Sequence, residues 1–126
     1  MLKFVSTSSL LALMLLASGC NRGADTAQNL PTIDPKKYYA VLLSNGSVYF
    51  GQLQGFGSEY PVLTDVYYVQ SNVNPETKAV VGNSLVKRGK EWHGPDRMIL
   101  NAKNIVFLEP VGLDSRVAKL IEESKH

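Results

Sequence analysis

Tyr38-Tyr39-Ala40-Val41-Leu42-Leu43-Ser44-Asn45-Gly46-Ser47-Val48-Tyr49-Phe50-Gly51-Gln52-Leu53 is the stretch that decides the fold. Two β-favouring runs flank Asn45-Gly46, and Asn-Gly between such runs is the strongest short-range hairpin signal. A two-residue type I′ turn there pairs Leu43 with Val48, Leu42 with Tyr49, Val41 with Phe50 and Ala40 with Gly51. On that register one face carries Val41, Leu43, Val48 and Phe50. The other carries Tyr38, Ala40, Leu42, Tyr49 and Leu53. Both faces are largely apolar, so the sequence asks for cover on both sides of the hairpin.

Downstream, Gly51, Gly55 and Gly57 punctuate the chain and suit a sheet that bends. Pro61 to Gln70 reads as a third strand, and Leu85-Val86, Met98 to Leu100 and Ile105 to Leu108 as short apolar runs. Ser71 to Asn83 is polar and reads as a loop. A short helix closes the chain: Asp114 is a suitable N-cap, and Val117, Leu120 and Ile121 recur at helical spacing. Such a helix is too short to stand alone and must pack on the sheet. The expectation is a mainly β fold, a small SH3-like or Sm-like barrel of about five strands with a short C-terminal helix, spanning residues 38–126.

Gly46-Ser47-Val48-Tyr49-Phe50-Gly51-Gln52-Leu53, with Val41 and Leu43 before it, resembles the first motif of Sm proteins in its G-x4-G-x-L spacing. The Asp followed by Met-Asn and the Arg-Gly that bind RNA in that family have no counterparts, since Asp65 is followed by Val66-Tyr67. The resemblance therefore implies a bent hairpin and no RNA site. Most of the domain is similar to small uncharacterised bacterial proteins held to a membrane at their N-terminus. The similarity lies in Tyr38 to Leu43, Val48 to Gly51, Leu63 to Tyr68 and Gly94-Pro95-Asp96, and it implies no activity.

Upstream, Lys3 precedes the unbroken apolar run Leu10 to Ala17, and small residues lead to Cys20. A short positive region, a short apolar core and a small-residue cleavage site read as a signal peptide over residues 1–19. A spanning helix needs roughly 18 or more apolar residues. Leu16-Ala17-Ser18-Gly19-Cys20 resembles the lipobox of bacterial lipoproteins, with Ala17 where Leu is commonest. The resemblance implies a diacylglyceryl group on the Cys20 thiol, cleavage before it, and attachment to a cell membrane or outer membrane facing away from the cytoplasm. Asn21, where Asp commonly retains lipoproteins in the inner membrane, leans toward the outer one. Residues 20–37 then form a lipidated N-terminus and a flexible tether, with Pro31, Pro35 and little apolar material.

Cys20 is the single cysteine, so no intrachain disulfide forms. Lys3 is one of 13 basic residues, and the 12 left without it face 11 acidic ones. That near-neutral balance, with export, argues against a nucleic-acid partner. His93 has Glu91 and Asp96 nearby but no ligand set for a metal. The glycines of 51–57 lack the Gly-Lys-Ser/Thr of a phosphate loop. No cofactor and no catalytic residue is assigned.

The remaining signal is aromatic. Six tyrosines fall between Tyr38 and Tyr68, and Trp92 sits in the turn region Gly89 to Arg97. Tyr and Trp combine large contact area with a polar handle, so Trp92, His93, Tyr67 and Tyr68 are the candidate partner-binding residues. The leading expectation is a non-enzymatic binding or scaffold module for a protein or envelope component. An envelope enzyme and an Sm-like nucleic-acid binder are the alternatives.

Overall fold

The computed structural model describes residues 31–126. Cys20 and the signal peptide lie outside them. Six strands form one antiparallel sheet: β1 (Tyr38–Leu43), β2 (Val48–Gln54), β3 (Val62–Val73), β4 (Val80–Lys87), β5 (Arg97–Ile99) and β6 (Ile105–Pro110). A 3-10 turn at Ala102–Asn104 precedes β6, and one helix, α1 (Arg116–Glu123), follows it. The strand order is β4-β3-β2-β1-β6, with β5 also on β3. The mainly β class and the short C-terminal helix are thus present.

The sheet does not close into a barrel, and it has six strands rather than about five. The chain bridges its two margins covalently instead. After β5, the Leu100 N–H donates to Pro61 O at 2.9 Å and the Ala102 N–H to Glu59 O at 2.9 Å. The 3-10 turn then carries the chain to the far side of β1, where β6 pairs.

The first hairpin differs from the type I′ expectation by one residue. The Leu43 N–H donates to Ser47 O, and the Gly46 N–H to Leu43 O. The loop is therefore three residues long, with Gly46 at φ +85°, a position that costs glycine little. Leu42 faces Val48, Val41 faces Tyr49 and Ala40 faces Phe50. A one-residue slip exchanges the faces of a partner strand. Val41 and Leu43 thus share the core with Tyr49 and Leu53, not with Val48 and Phe50.

That core is Tyr39, Val41, Leu53, Leu63, Val66 and Leu100. Ile33 packs against it, and the Asp34 N–H donates to the Tyr39 hydroxyl at 3.0 Å. Pro31 to Lys37, in the stretch read as tether, is thereby held against the domain. The polar stretch read as a loop over Ser71 to Asn83 is mostly a hairpin arm. Its pairing is supported by a side-chain ladder: Ser71 Oγ donates to Asn83 Oδ1 at 3.1 Å, and Asn72 Nδ2 to Ser84 Oγ at 2.9 Å. With both faces of this arm in water, apolar alternation gives no signal there.

Helix α1 covers the second face of the sheet. Its N-cap is Ser115, not Asp114, and the Ser115 hydroxyl accepts from the Ala118 N–H at 3.1 Å. Ile121 of the expected stripe is buried to 2 % exposure. Tyr67 is buried in the sheet beneath, and its hydroxyl lies 3.1 Å from Ser124 Oγ.

Candidate functional site

The middle of β3 is shaped by a bulge. Phe50 faces Tyr67 and Gln52 faces Thr64, so two residues, Asp65 and Val66, stand opposite Gly51. Asp65 takes φ +48°, an uncommon backbone region for a residue other than glycine. The extra residue puts Leu63 and Val66 on the same core face. It also re-aims the Asp65 side chain, as bulges do.

The Asp65 carboxylate accepts a hydrogen bond from the Tyr38 hydroxyl and pairs with Lys87 Nζ at 2.9 Å. Burial alone pushes the Asp65 carboxyl up, but Tyr38 and Lys87 outweigh it and hold the group below its ordinary value. Burial, followed by the bond to Asp65, raises the Tyr38 phenol. The Asp65 hydrogen bond and charge raise the Lys87 ammonium. Lys87 also lies 5.8 Å from the Tyr67 ring centre, and Lys125 of the C-terminal segment 5.5 Å from that of Tyr38. At neutral pH the Asp65 carboxylate and Lys87 ammonium are both charged beside a protonated Tyr38, and the cluster ties β1, β3, β4 and the end of α1 together.

The turn between β4 and β5 leaves this cluster with its base pinned. The Arg88 N–H donates to Val66 O at 2.7 Å. The Arg88 guanidinium sits 5.7 Å from the Tyr49 ring centre, and Nη1 lies 3.5 Å from Met98 Sδ. Buried Arg88 Nε faces Glu91 Oε1 at 3.1 Å as an ion pair, out of line for a hydrogen bond. Glu91 Oε2 accepts from the Gly89 N–H at 2.8 Å. That backbone bond, ahead of the Arg88 charge, lowers the Glu91 carboxyl from its ordinary value. The Gly94 N–H then donates to Glu91 O, closing the tip. Glu91 is thus occupied inward, and Lys90, Trp92 and His93 are left in solvent. Trp92 is 107 % exposed.

Two concavities flank these features. A cleft of about 360 Å³ between the bulge and the turn is lined by Asp65, Lys87, Arg88, Asp96 and Arg97, among others. A larger apolar groove of about 730 Å³ opens between the N-terminal segment and β6. Ile33, Tyr39, Phe56, Ile105, Phe107 and Leu108 contribute to its walls.

The four aromatic and histidine candidates do not gather into one surface. Trp92 and His93 share the exposed tip. Tyr68 is half-buried and packs edge-on to Tyr49, with ring centres 6.4 Å apart. Tyr67, at 1 % exposure, offers no area to a partner. Sequence reasoning missed Asp65 and the Arg88–Glu91 clamp. The spacing of Arg88 and Glu91, three residues apart around Gly89, was the available signal for the clamp. No protein-family model matches the chain, and no curated protein matches it.

Proposed function

We propose that this protein is a non-enzymatic binding module, anchored by lipid on Cys20 to a cell membrane or outer membrane and facing away from the cytoplasm, and that the Trp92 turn is the surface it presents to the cell envelope. The carrying observation is Trp92 itself: a full indole in water on a turn whose base is fixed by Arg88 and Glu91. Leaving so large an apolar ring in water forgoes the stabilisation that burial brings. A pinned turn loses little further freedom on binding. The N-terminal reading adds the location, because more than one acyl chain on Cys20 gives stable anchoring.

The test separates binding from folding. Trp92→Ala removes no packed contact, so the unfolding free energy should change by less than about 0.5 kcal/mol. A photo-crosslinking residue at position 93 should capture an envelope component in cells, and Trp92→Ala should reduce that capture about tenfold. A large loss of stability would make Trp92 a packing residue, and undiminished capture would move the binding surface elsewhere.

A further inference from the structure

We infer that the component met by the Trp92 turn is the anionic lipid surface of the membrane that anchors the chain. This rests on the reading of the turn as a binding surface and on the lipid at Cys20, and it names the occupant.

Charge is the first argument. Exposed Lys90 and His93 lie two residues before and one residue after Trp92. Lys87 and Arg97, at the two ends of the turn, keep side chains 58 % and 56 % exposed while paired with Asp65 and Asp96 at 2.9 and 3.8 Å. Asp96 is the exposed acid of the turn, at 83 %, because Glu91 is engaged with Arg88 and Gly89. The tip is thus an indole two residues after Lys90, an exposed ammonium that has no ion-pair partner among the described residues. Indoles settle at the headgroup level of bilayers, apolar body inward and N–H toward water. Each basic residue close to an anionic surface raises partitioning about fivefold.

Shape decides between lipid and protein. A stable protein interface takes about 800 Å² from each partner. The turn offers one ring on a convex tip closed by the Gly94–Glu91 bond. A protein would need a matching pocket for that ring, whereas a bilayer accepts it without one.

Reach is the third argument. Cys20 lies 11 residues before Pro31, and a chain of that length spans at most about 40 Å. The domain therefore stays close to the bilayer, where tethering gives effective concentrations near the millimolar range. A weak docking contact is populated under those conditions. Two attachments, lipid and turn, then fix an orientation that one tether leaves free.

The chain has a single tryptophan, so its emission reports this turn alone. The probe is the chain from residue 20 carrying Cys20→Ser, mixed with vesicles of phosphatidylglycerol or of phosphatidylcholine. Phosphatidylglycerol should shift the Trp92 emission to the blue and sediment the protein. Phosphatidylcholine, or phosphatidylglycerol in high salt, should do so at least about tenfold less. Trp92→Ala and, separately, Lys90→Glu should each lower the sedimented fraction about tenfold at matched lipid. An unshifted emission at millimolar phosphatidylglycerol would overturn the inference, as would undiminished sedimentation of Trp92→Ala. If the vesicles fail while crosslinks from position 93 reach a protein in a Trp92-dependent way, the binding-surface reading stands and lipid is the wrong occupant. If both fail, both readings fall.

Discussion

Gly51→Val is expected to lower the unfolding free energy by about 3 kcal/mol or more. For a domain of this size that is a fall of roughly 12–24 °C in Tm. The reason is a close approach of β3 to β2 just beside the bulge. A Cβ at position 51 would lie 2.8 Å from Leu63 Cγ and 2.8 Å from the Thr64 carbonyl oxygen. The leucine side chain has little room to yield, being wholly buried in the core. The carbonyl belongs to a strand paired on both sides. Relief therefore requires β2 and β3 to separate, which also disturbs Asp65 and its bonds to Tyr38 and Lys87. Gly82 is the control. A Cβ there meets only Asn72 Nδ2, at 3.9 Å, so Gly82→Ala should stay within about 0.5 kcal/mol of the parent. Thermal and urea unfolding check both. Equal midpoints for Gly51→Val and the parent would contradict the close approach.

Ile121→Ala should cost about 2–4 kcal/mol, the range for truncating a buried aliphatic side chain. Helix α1 has only eight residues and is held by docking rather than by propensity. Ile121 is its one buried side chain. Losing its contact loosens the helix and uncovers Tyr67, whose hydroxyl faces Ser124. Amide exchange should therefore speed up through Arg116–Glu123 and around Tyr67, while β1 and β2 stay protected. Leu113, 90 % exposed just before the helix, is the matched control, and Leu113→Ala should leave unfolding unchanged. Uniform exchange through α1 in both variants would show that the helix contributes nothing to the domain.

These two positions show where the sequence speaks and where it is silent. The C-terminal stripe of Val117, Leu120 and Ile121 is local, so its periodicity alone reveals a helix with one face to bury. The hairpin at Asn45-Gly46 is equally visible, but its register is not. Asn-Gly serves both a two-residue loop and a three-residue loop with glycine in the left-handed region. Including Ser44 in the loop exchanges the faces. The decision lies in distant contacts, since Tyr49 and Leu53 of β2 pack on the same core as Tyr39 and Val41 of β1 and Leu63 of β3. The Asp65 bulge has the same origin, because its positive φ is imposed by pairing across β2 and β4. Barrel closure was expected from glycine bends, but the glycines do not specify whether the last ladder forms.

The candidate surfaces divide in the same way. Trp92 lies in a polar, glycine-bounded segment, and such segments run over the surface, so its exposure was legible. Tyr67 and Tyr68 looked equivalent as neighbours, yet successive strand residues point to opposite faces, and only Tyr67 is covered by α1. The apolar groove was invisible to local reading because it is assembled from four separated stretches around Ile33, Tyr39, Phe56 and Phe107.

The central claim is a domain anchored by lipid at Cys20, and intact-mass spectrometry of the protein purified from membranes tests it most directly. The account predicts a chain beginning at Cys20 whose mass exceeds that of the polypeptide by a diacylglyceryl group, with or without a further acyl chain. A soluble protein with the mass of an unmodified chain, or one cleaved elsewhere with a free Cys20 thiol, would contradict it.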